Sequence, residues 1–265
     1  MKKKTNLPMK VFSVTGVSTS GKTTVVEELV RELTNRGYTV GTVKSIGCGR
    51  GCEIRHKENC STHQHDENNC FTIDTKGKNT YRHKMAGAKQ VATWSKAETA
   101  IIRPYRMKLY ELIDNYDFDF LIIEGGKMEP LPRVVTGFTE ENTEMIIGNT
   151  TFAISGKIAD EVEEVNGIKT FKTHDDIERL VNHIIEKVQP AIGYKDEVGC
   201  KLCGMTCSEM NEKILKGEKT YTDCIRAYPK IEINSDNEHL KEKLRKLLIQ
   251  LDEDEFLSNI KVEIN

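Results

Sequence analysis

The sequence predicts an α/β fold, in which a mostly parallel sheet is flanked by helices and followed by a small C-terminal, cysteine-rich α+β domain. Residues 10–44 contain, in order, an apolar strand, a glycine-rich loop, a helix and a second strand, which is typical of a parallel sheet. Residues 118–124 give the clearest buried strand in the chain. We therefore expect one domain over residues 1–190 and another over residues 191–265.

The first three elements follow from hydrophobic patterning. Lys10–Thr15 is short and apolar, as expected of a buried strand. Residues 23–36 repeat apolar residues at helical spacing, and Gly37 provides a natural end to that helix. Residues 38–44 then form the second predicted strand. The apolar positions of the predicted helix are Val26, Leu29, Val30 and Leu33.

The later elements are predicted in the same way. Regular structure should resume at residues 71–74. Further helices are expected at 79–88, 108–115 and 174–188, and further strands near 90–93, 99–103, 151–154 and 168–171. After a linker at 190–198, the tail should contain a helix at 208–216, a strand at 230–233, a charged helix at 240–251 and a last strand at 260–264.

Composition narrows the range of partners. The formal net charge of −2 argues against general attraction to nucleic acid or to a membrane surface. No apolar run approaches the roughly 20 residues that span a bilayer. The basic residues 1–4 are not followed by the apolar region of a signal peptide. We expect a cytoplasmic protein, in which disulfides are rare and clustered cysteines suggest metal binding.

Residues 16–23 match the pattern G-x4-G-K-[ST] at every fixed position, between a predicted strand and a predicted helix. The two glycines allow several backbone N–H groups to converge on a phosphate, and the helix N-terminus adds partial positive charge. Lys22 would contact the β- and γ-phosphates, and the Thr23 hydroxyl would bind Mg²⁺. The sequence therefore predicts a P-loop nucleoside-triphosphate site. Its binding residues are Gly16, Val17, Ser18, Thr19, Ser20, Gly21, Lys22, Thr23 and Thr24.

Glu124 is the predicted acidic partner of Mg²⁺, because it ends the most apolar strand and ligands of parallel sheets bind at the carboxyl ends of strands. The candidate catalytic residues are Lys22, Thr23 and Glu124. The pattern does not indicate which residue orients an attacking water. The guanine-reading motif N-K-x-D is absent from the sequence, so the residues alone leave GTP and ATP open.

Three blocks of sequence resemble the molybdopterin-guanine dinucleotide biosynthesis protein B family. They are residues 16–24 with Gly41–Lys44, residues 74–83 with 86–88, and residues 121–127 with 132–134. Within them, Lys76 and Asn79 stand where the family usually has proline and aspartate, and Gly126 where an aromatic residue is common.

The resemblance implies a GTP-binding, weakly hydrolysing protein that assists attachment of a guanine nucleotide to molybdopterin. Such a protein acts as an adaptor beside the molybdopterin nucleotidyltransferase, a molybdoenzyme maturation partner or both, and a homodimer is compatible with this role. Lys78, Arg82 and His83 would then contact phosphates or the cofactor. The alternative for these three residues is a basic, exposed helix.

The tail sequence Cys200-x2-Cys203-x3-Cys207-x16-Cys224 resembles the small four-cysteine iron–sulfur domain of electron-transfer and corrinoid proteins, with the third gap one residue shorter. Three thiolates would converge from a tight loop, and the predicted helix at 208–216 would direct its N-terminus at the anionic cluster. We expect a [4Fe–4S] cluster. Structural zinc and unligated thiols are the alternatives.

Residues 46–70 form a polar insertion in the first domain that is rich in cysteine and histidine. Its candidate metal ligands are Cys48, Cys52, Cys60 and Cys70, beside His56, His63 and His65. A structural zinc ion would order such a loop, and we favour it over a transported metal.

Two other functions compete with the adaptor of molybdenum cofactor maturation. One is a nucleotide-dependent metallochaperone that delivers nickel or another metal, which accounts better for the cysteines and less well for residues 74–88. The other is a nucleotide-gated interaction module whose tail docks a partner.

Overall fold

The computed structural model describes residues 8–46, 73–194, 200, 202–233, 236–253 and 261–264. Cys48, Cys52, Cys60 and Cys70 therefore lie outside the described residues, and so do Phe71 and Thr72. The chain divides into two compact units, one formed by residues 1–45 with 109–265 and the other by residues 46–108.

The elements are as follows. The strands are β1 Lys10–Gly16, β2 Val40–Lys44, β3 Val91–Trp94, β4 Thr99–Ile102, β5 Phe120–Glu124, β6 Arg133–Thr136, β7 Thr151–Ser155, β8 Glu164–Val165, β9 Ile168–Lys169, β10 Lys230–Ile233 and β11 Lys261–Ile264. The helices are α1 Lys22–Asn35, α2 Asn79–Met85, α3 Leu109–Ile113, α4 Glu140–Glu144, α5 Ile177–Lys187, α6 Cys207–Leu215 and α7 Glu238–Glu253.

Among the described residues, five strands form a central sheet in the order β2-β5-β1-β6-β7, and every neighbouring pair is parallel. The predicted parallel sheet is thus confirmed. All five residues of β5 are buried, as expected of a strand covered on both faces. Because the strands are parallel, their carboxyl ends meet at one edge, where α/β proteins bind ligands.

The alternation of side chains along the strands separates two buried faces. Phe12 and Ile122 point to the face covered by α1 and α5, where they pack with Leu29 and Leu180. By the same alternation, Glu124 lies on the α1 face of β5. Helix α1 can therefore bring its first turn to the carboxyl end of that strand.

The opposite face of the sheet packs against α3 and the first part of the tail. Leu121 and Ile123 share a buried cluster with Tyr194 and with Met210 of α6. Asn211 of α6, also buried, donates hydrogen bonds to the Pro130 carbonyl at 2.5 Å and to the Tyr194 hydroxyl at 3.3 Å. Residues 191–194 and 203–228 thus cover one face of the sheet, while the domain boundary at residue 190 stays a prediction.

The unit of residues 46–108 contains α2 and the antiparallel hairpin β3–β4. Ile73 and Asp74 form a bend, so the regular structure expected there is not observed in these two residues. The start of α2 is held by Asp74, which is buried and accepts a hydrogen bond from Thr80 Oγ1 at 2.7 Å. Lys84 Nζ lies 3.6 Å from the other carboxylate oxygen of Asp74.

In the last part of the chain, α7 connects β10 to β11, and the two strands pair in parallel. This order agrees with the strand, charged helix and strand expected there. Within the described ranges, no helix combines the length and apolar character needed to cross a membrane.

Candidate nucleotide-binding site

The loop that joins β1 to α1 leaves the centre of the sheet at its carboxyl edge. Gly16 is paired with Thr136 of β6, and a Cβ added at Gly16 would lie 2.2 Å from Thr136 Oγ1. A side chain therefore cannot be accommodated at this position. Gly21 has a φ of 98°, a conformation that glycine adopts at no steric cost, and it directly precedes α1. The structure thus explains why the motif requires glycine at both fixed positions, 16 and 21.

The shape of the loop depends on β6. The hydroxyls of Ser20 and Thr136 lie 2.5 Å apart in a buried hydrogen bond, and Ser20 Oγ also donates to the Val17 carbonyl at 2.9 Å. Thr19, the residue before Ser20, has a backbone φ of 63°, which is rare for a β-branched residue. Such a conformation costs on the order of 1–3 kcal/mol and persists only where the surroundings fix it.

Lys22 folds back over the loop. Its Nζ donates to the carbonyls of Gly16 at 3.2 Å and Val17 at 2.5 Å. Burial and the positive charge of Lys44 lower the pKa of Lys22, while the Glu124 carboxylate opposes part of that shift. These three side chains therefore belong to one electrostatic cluster at the mouth of the loop.

Glu124 receives two donors on the same oxygen. Thr23 Oγ1 donates to Glu124 Oε1 at 2.9 Å, and Lys44 Nζ forms an ion pair with that oxygen. The Glu124 side chain is only 10% exposed. The structure thus brings the predicted pair of Thr23 and Glu124 together.

This donor set fits Mg²⁺, which usually takes one or two carboxylates from the protein and completes its shell with phosphates and water. Thr23 and Glu124 would supply a hydroxyl and a carboxylate. In the described part of the chain, no group of three or more His, Cys, Asp or Glu side chains is arranged to hold a metal ion. Thr23 and Glu124 would therefore leave most of the coordination shell of Mg²⁺ to phosphate oxygens and water.

Sequence reasoning missed three residues of this site: Lys44, Thr136 and Gly156. Lys44 ends β2, directly beside Glu124 in the sheet. Gly156 follows β7 and lies against the backbone of Ser20. The β-branched residues Val134, Val135 and Thr136 could have predicted β6, but the contact of this strand with Ser20 depends on strand order, which the sequence does not state.

Lys78, Arg82 and His83 are exposed residues at or within α2 and belong to the unit of residues 46–108. They share α2 with the Thr80 side chain that bonds Asp74. Their roles at phosphate or cofactor stay a prediction.

The four tail cysteines are not joined by disulfides, and Cys224 is buried while the others are half-buried. Cys203, Cys207 and Cys224 pack into the same apolar cluster, where Cys224 Sγ accepts a hydrogen bond from the Gly193 N–H at 3.3 Å. The described residues nevertheless contain no three-ligand metal group, so the predicted four-thiolate site with Cys200 is not preformed in this structure.

The parallel sheet, the glycine loop against β6 and the placement of Lys22, Thr23 and Glu124 define a P-loop nucleotide-binding protein. The family model described as "Molybdopterin guanine dinucleotide synthesis protein B" matches residues 11–155. The chain belongs to that family, as its motifs suggested.

Relatives and solved structures agree with this assignment. A putative molybdopterin-guanine dinucleotide biosynthesis adapter protein of Methanocaldococcus jannaschii is 28% identical over 83% of this chain and 78% of its own length. A probable adapter protein of the same description from Bacillus subtilis is 27% identical, over 64% of this chain and 89% of its own length. The crystal structure of Bacillus subtilis MobB matches 69% of this chain and all of its own, with 25% identity and a TM-score of 0.50.

Proposed function

We propose that this chain binds GTP with Mg²⁺ and acts as an adapter in the attachment of a guanine nucleotide to molybdopterin. The observation that carries the proposal is a complete P-loop site in a chain of this family. The names of the curated relatives, which describe adapter proteins of that biosynthesis, support the pathway. Hydrolysis is expected to be weak, since the role proposed is that of an adapter.

Each residue of the site has a task in this proposal. The backbone N–H groups of the loop and the first turn of α1 would bind the phosphates, because helix N-termini favour anions. Lys22 would turn from the carbonyls of Gly16 and Val17 to the β- and γ-phosphates. Thr23 and Glu124 would orient Mg²⁺, which neutralises phosphate charge when bound.

The decisive variant for nucleotide binding is Lys22→Ala. We expect at least a hundredfold loss of GTP affinity, because hydrogen bonds to charged groups contribute about 1.5–3 kcal/mol each and Lys22 would make more than one. Isothermal titration of the full-length protein with GTP, GDP and ATP in Mg²⁺ measures this loss. The same titrations give the nucleotide preference.

Lys187→Ala is the matched control, because Lys187 lies at the end of α5 and pairs with neighbouring Glu186 at 3.6 Å. It should bind GTP like the wild type. Wild-type affinity in Lys22→Ala would refute the nucleotide site. A preference for ATP would refute the proposed choice of GTP but would leave the nucleotide site itself standing.

The adapter role is tested by reconstitution with the molybdopterin nucleotidyltransferase. Added full-length protein with GTP should raise the yield of the guanine dinucleotide cofactor, and Lys22→Ala should not. An equal yield without the protein would contradict the role while leaving nucleotide binding intact.

We also propose the tail cysteines as ligands of a [4Fe–4S] cluster, or of zinc. The spacing of Cys200, Cys203, Cys207 and Cys224 supports this, and so does the packing of three of these thiols in one apolar cluster. Hydrogen bonds from backbone N–H groups, like that to Cys224, tune such sulfur ligands. The four thiols are not arranged as a metal group in the structure, so binding would require them to come closer together.

The test is the metal and acid-labile sulfide content of anaerobically purified protein. We expect iron and sulfide in the wild type and a loss of both in Cys207→Ser. Zinc without sulfide would select the alternative metal. A metal content that is unchanged by Cys207→Ser would show that the tail is not the site.

A further inference from the structure

Lys44 occupies a place in the nucleotide site that the motif does not explain. In the parallel register of β2 and β5, Lys44 lies directly beside Glu124. Val40 of the same strand packs in the cluster under α1, so the period of two places Lys44 on that face as well. The strand geometry therefore fixes the Lys44 side chain next to the mouth of the P-loop.

The ion pair of Lys44 uses the oxygen of Glu124 that also accepts from Thr23. Because the Glu124 side chain is only 10% exposed and its Oε1 is already paired with Lys44, a cation that binds this carboxylate beside Thr23 would compete with the Lys44 ammonium. Lys44 thus stands where a divalent cation beside Thr23 would need to bind.

The ion pair between Lys44 and Glu124 is weak enough for Lys44 to change partners. The Lys44 side chain is 53% exposed and flexible, and ion pairs of such accessible lysines are weak. In addition, Lys22 and Lys44 repel each other across a single carboxylate. The cluster therefore has one positive charge in excess, which an incoming phosphate would neutralise.

We propose that Lys44 is a second phosphate-binding lysine, which pairs with Glu124 in the absence of nucleotide and moves to the terminal phosphate of a nucleoside triphosphate when a divalent cation binds Glu124. The inference rests on the nucleotide binding proposed above. It assigns Lys44 two exchangeable partners, and it makes Lys44, beside Lys22, a residue that distinguishes a triphosphate from a diphosphate.

The test compares GTP and GDP affinities of the full-length protein by isothermal titration at saturating Mg²⁺. Lys44→Met should lower the ratio of GTP to GDP affinity about tenfold, because one charged hydrogen bond to the terminal phosphate is lost. Lys44→Arg should keep the ratio within about threefold of the wild type, since the cation is retained. Lys187→Met, a lysine remote from the site, should leave it unchanged.

A second readout follows the competition for Glu124. The Mg²⁺ concentration that half-maximally promotes GDP binding should fall severalfold in Lys44→Met, because the carboxylate is no longer paired with an ammonium. A merely structural lysine would not produce this shift. Thermal melts by circular dichroism show whether Lys44→Met is folded. If it is not, Lys44→Gln replaces it as the uncharged variant.

The outcomes separate the two proposals. If Lys22→Ala abolishes binding while Lys44→Met changes neither the affinity ratio nor the Mg²⁺ dependence, the role of Lys44 is refuted and the nucleotide site stands. If Lys22→Ala binds GTP normally, the nucleotide proposal itself fails. A lowered ratio with a lowered Mg²⁺ requirement supports both.

Discussion

The central sheet and the β3–β4 hairpin use similar residues but bury them very differently. All of β5 is buried, whereas Val91 is the one buried residue among the eight of the hairpin, all of them described, and Trp94 is 91% exposed. The sheet is covered by α1 and α5 on one face and by α3 and the first part of the tail on the other. The hairpin has two strands, and an isolated pair of strands is marginally stable.

The comparison teaches that burial depends on the number of layers rather than on the apolar character of a strand. It also explains where the nucleotide residues lie. Glu124, Thr136 and Gly16 all stand at the carboxyl ends of sheet strands, so packing of the sheet holds them in place. A site built on the hairpin would rest on two strands and on the packing of β3 against α2, rather than on a five-stranded sheet.

The largest expected effect is on the buried side of the comparison. Ile122→Ala, at a fully buried position of β5, should lower the free energy of unfolding by about 2–5 kcal/mol through lost burial and a cavity. Urea unfolding with linear extrapolation measures it. Ile122→Val is the matched control and should lose only about 0.5–1.5 kcal/mol. A loss below 1 kcal/mol in Ile122→Ala would mean that β5 is less tightly packed than the structure indicates.

The smallest expected effect is on the exposed side. Trp94→Ala should change the free energy of unfolding by no more than about 0.5 kcal/mol, because an exposed side chain contributes little to folding. Circular dichroism is the suitable probe, since Trp94 is the single tryptophan. A loss above 2 kcal/mol would show that Trp94 is covered in solution.

Sedimentation of wild type and Trp94→Ala at matched concentration also tests the homodimer, which stays a prediction.

Much of the fold could be predicted because its strongest elements are local. The predicted strand at 10–15 is observed at 10–16, and the predicted helix at 23–36 is observed at 22–35. The apolar run before Glu124 fixed both the strand and the acid at its carboxyl end. The motif itself determined the placement of Lys22 and Thr23, because each position has a chemical task that few other residues perform.

The rest depended on contacts between distant strands. Lys44 has no motif of its own, and its place beside Glu124 follows from β2 pairing with β5, whose sequence positions differ by 80. Thr136 likewise gains its importance from strand order. The bend at Ile73 and Asp74 was missed because the buried carboxylate of Asp74 accepts a hydrogen bond from Thr80, a contact that favours a bend before α2 over the regular structure expected there.

The hydrogen bond between Ser20 and Thr136 also sets the order in which the protein can be assembled. The two residues are 116 positions apart, so the phosphate-binding loop is made early and its supporting strand late. At a synthesis rate of about 5–20 residues per second, the strand follows the loop by roughly 6 to 23 seconds. During that interval Thr19 lacks the surroundings that hold its left-handed backbone. A nascent chain should therefore acquire nucleotide affinity only after β6 has joined the sheet, so that nucleotide binding would report the pairing of β1 with β6.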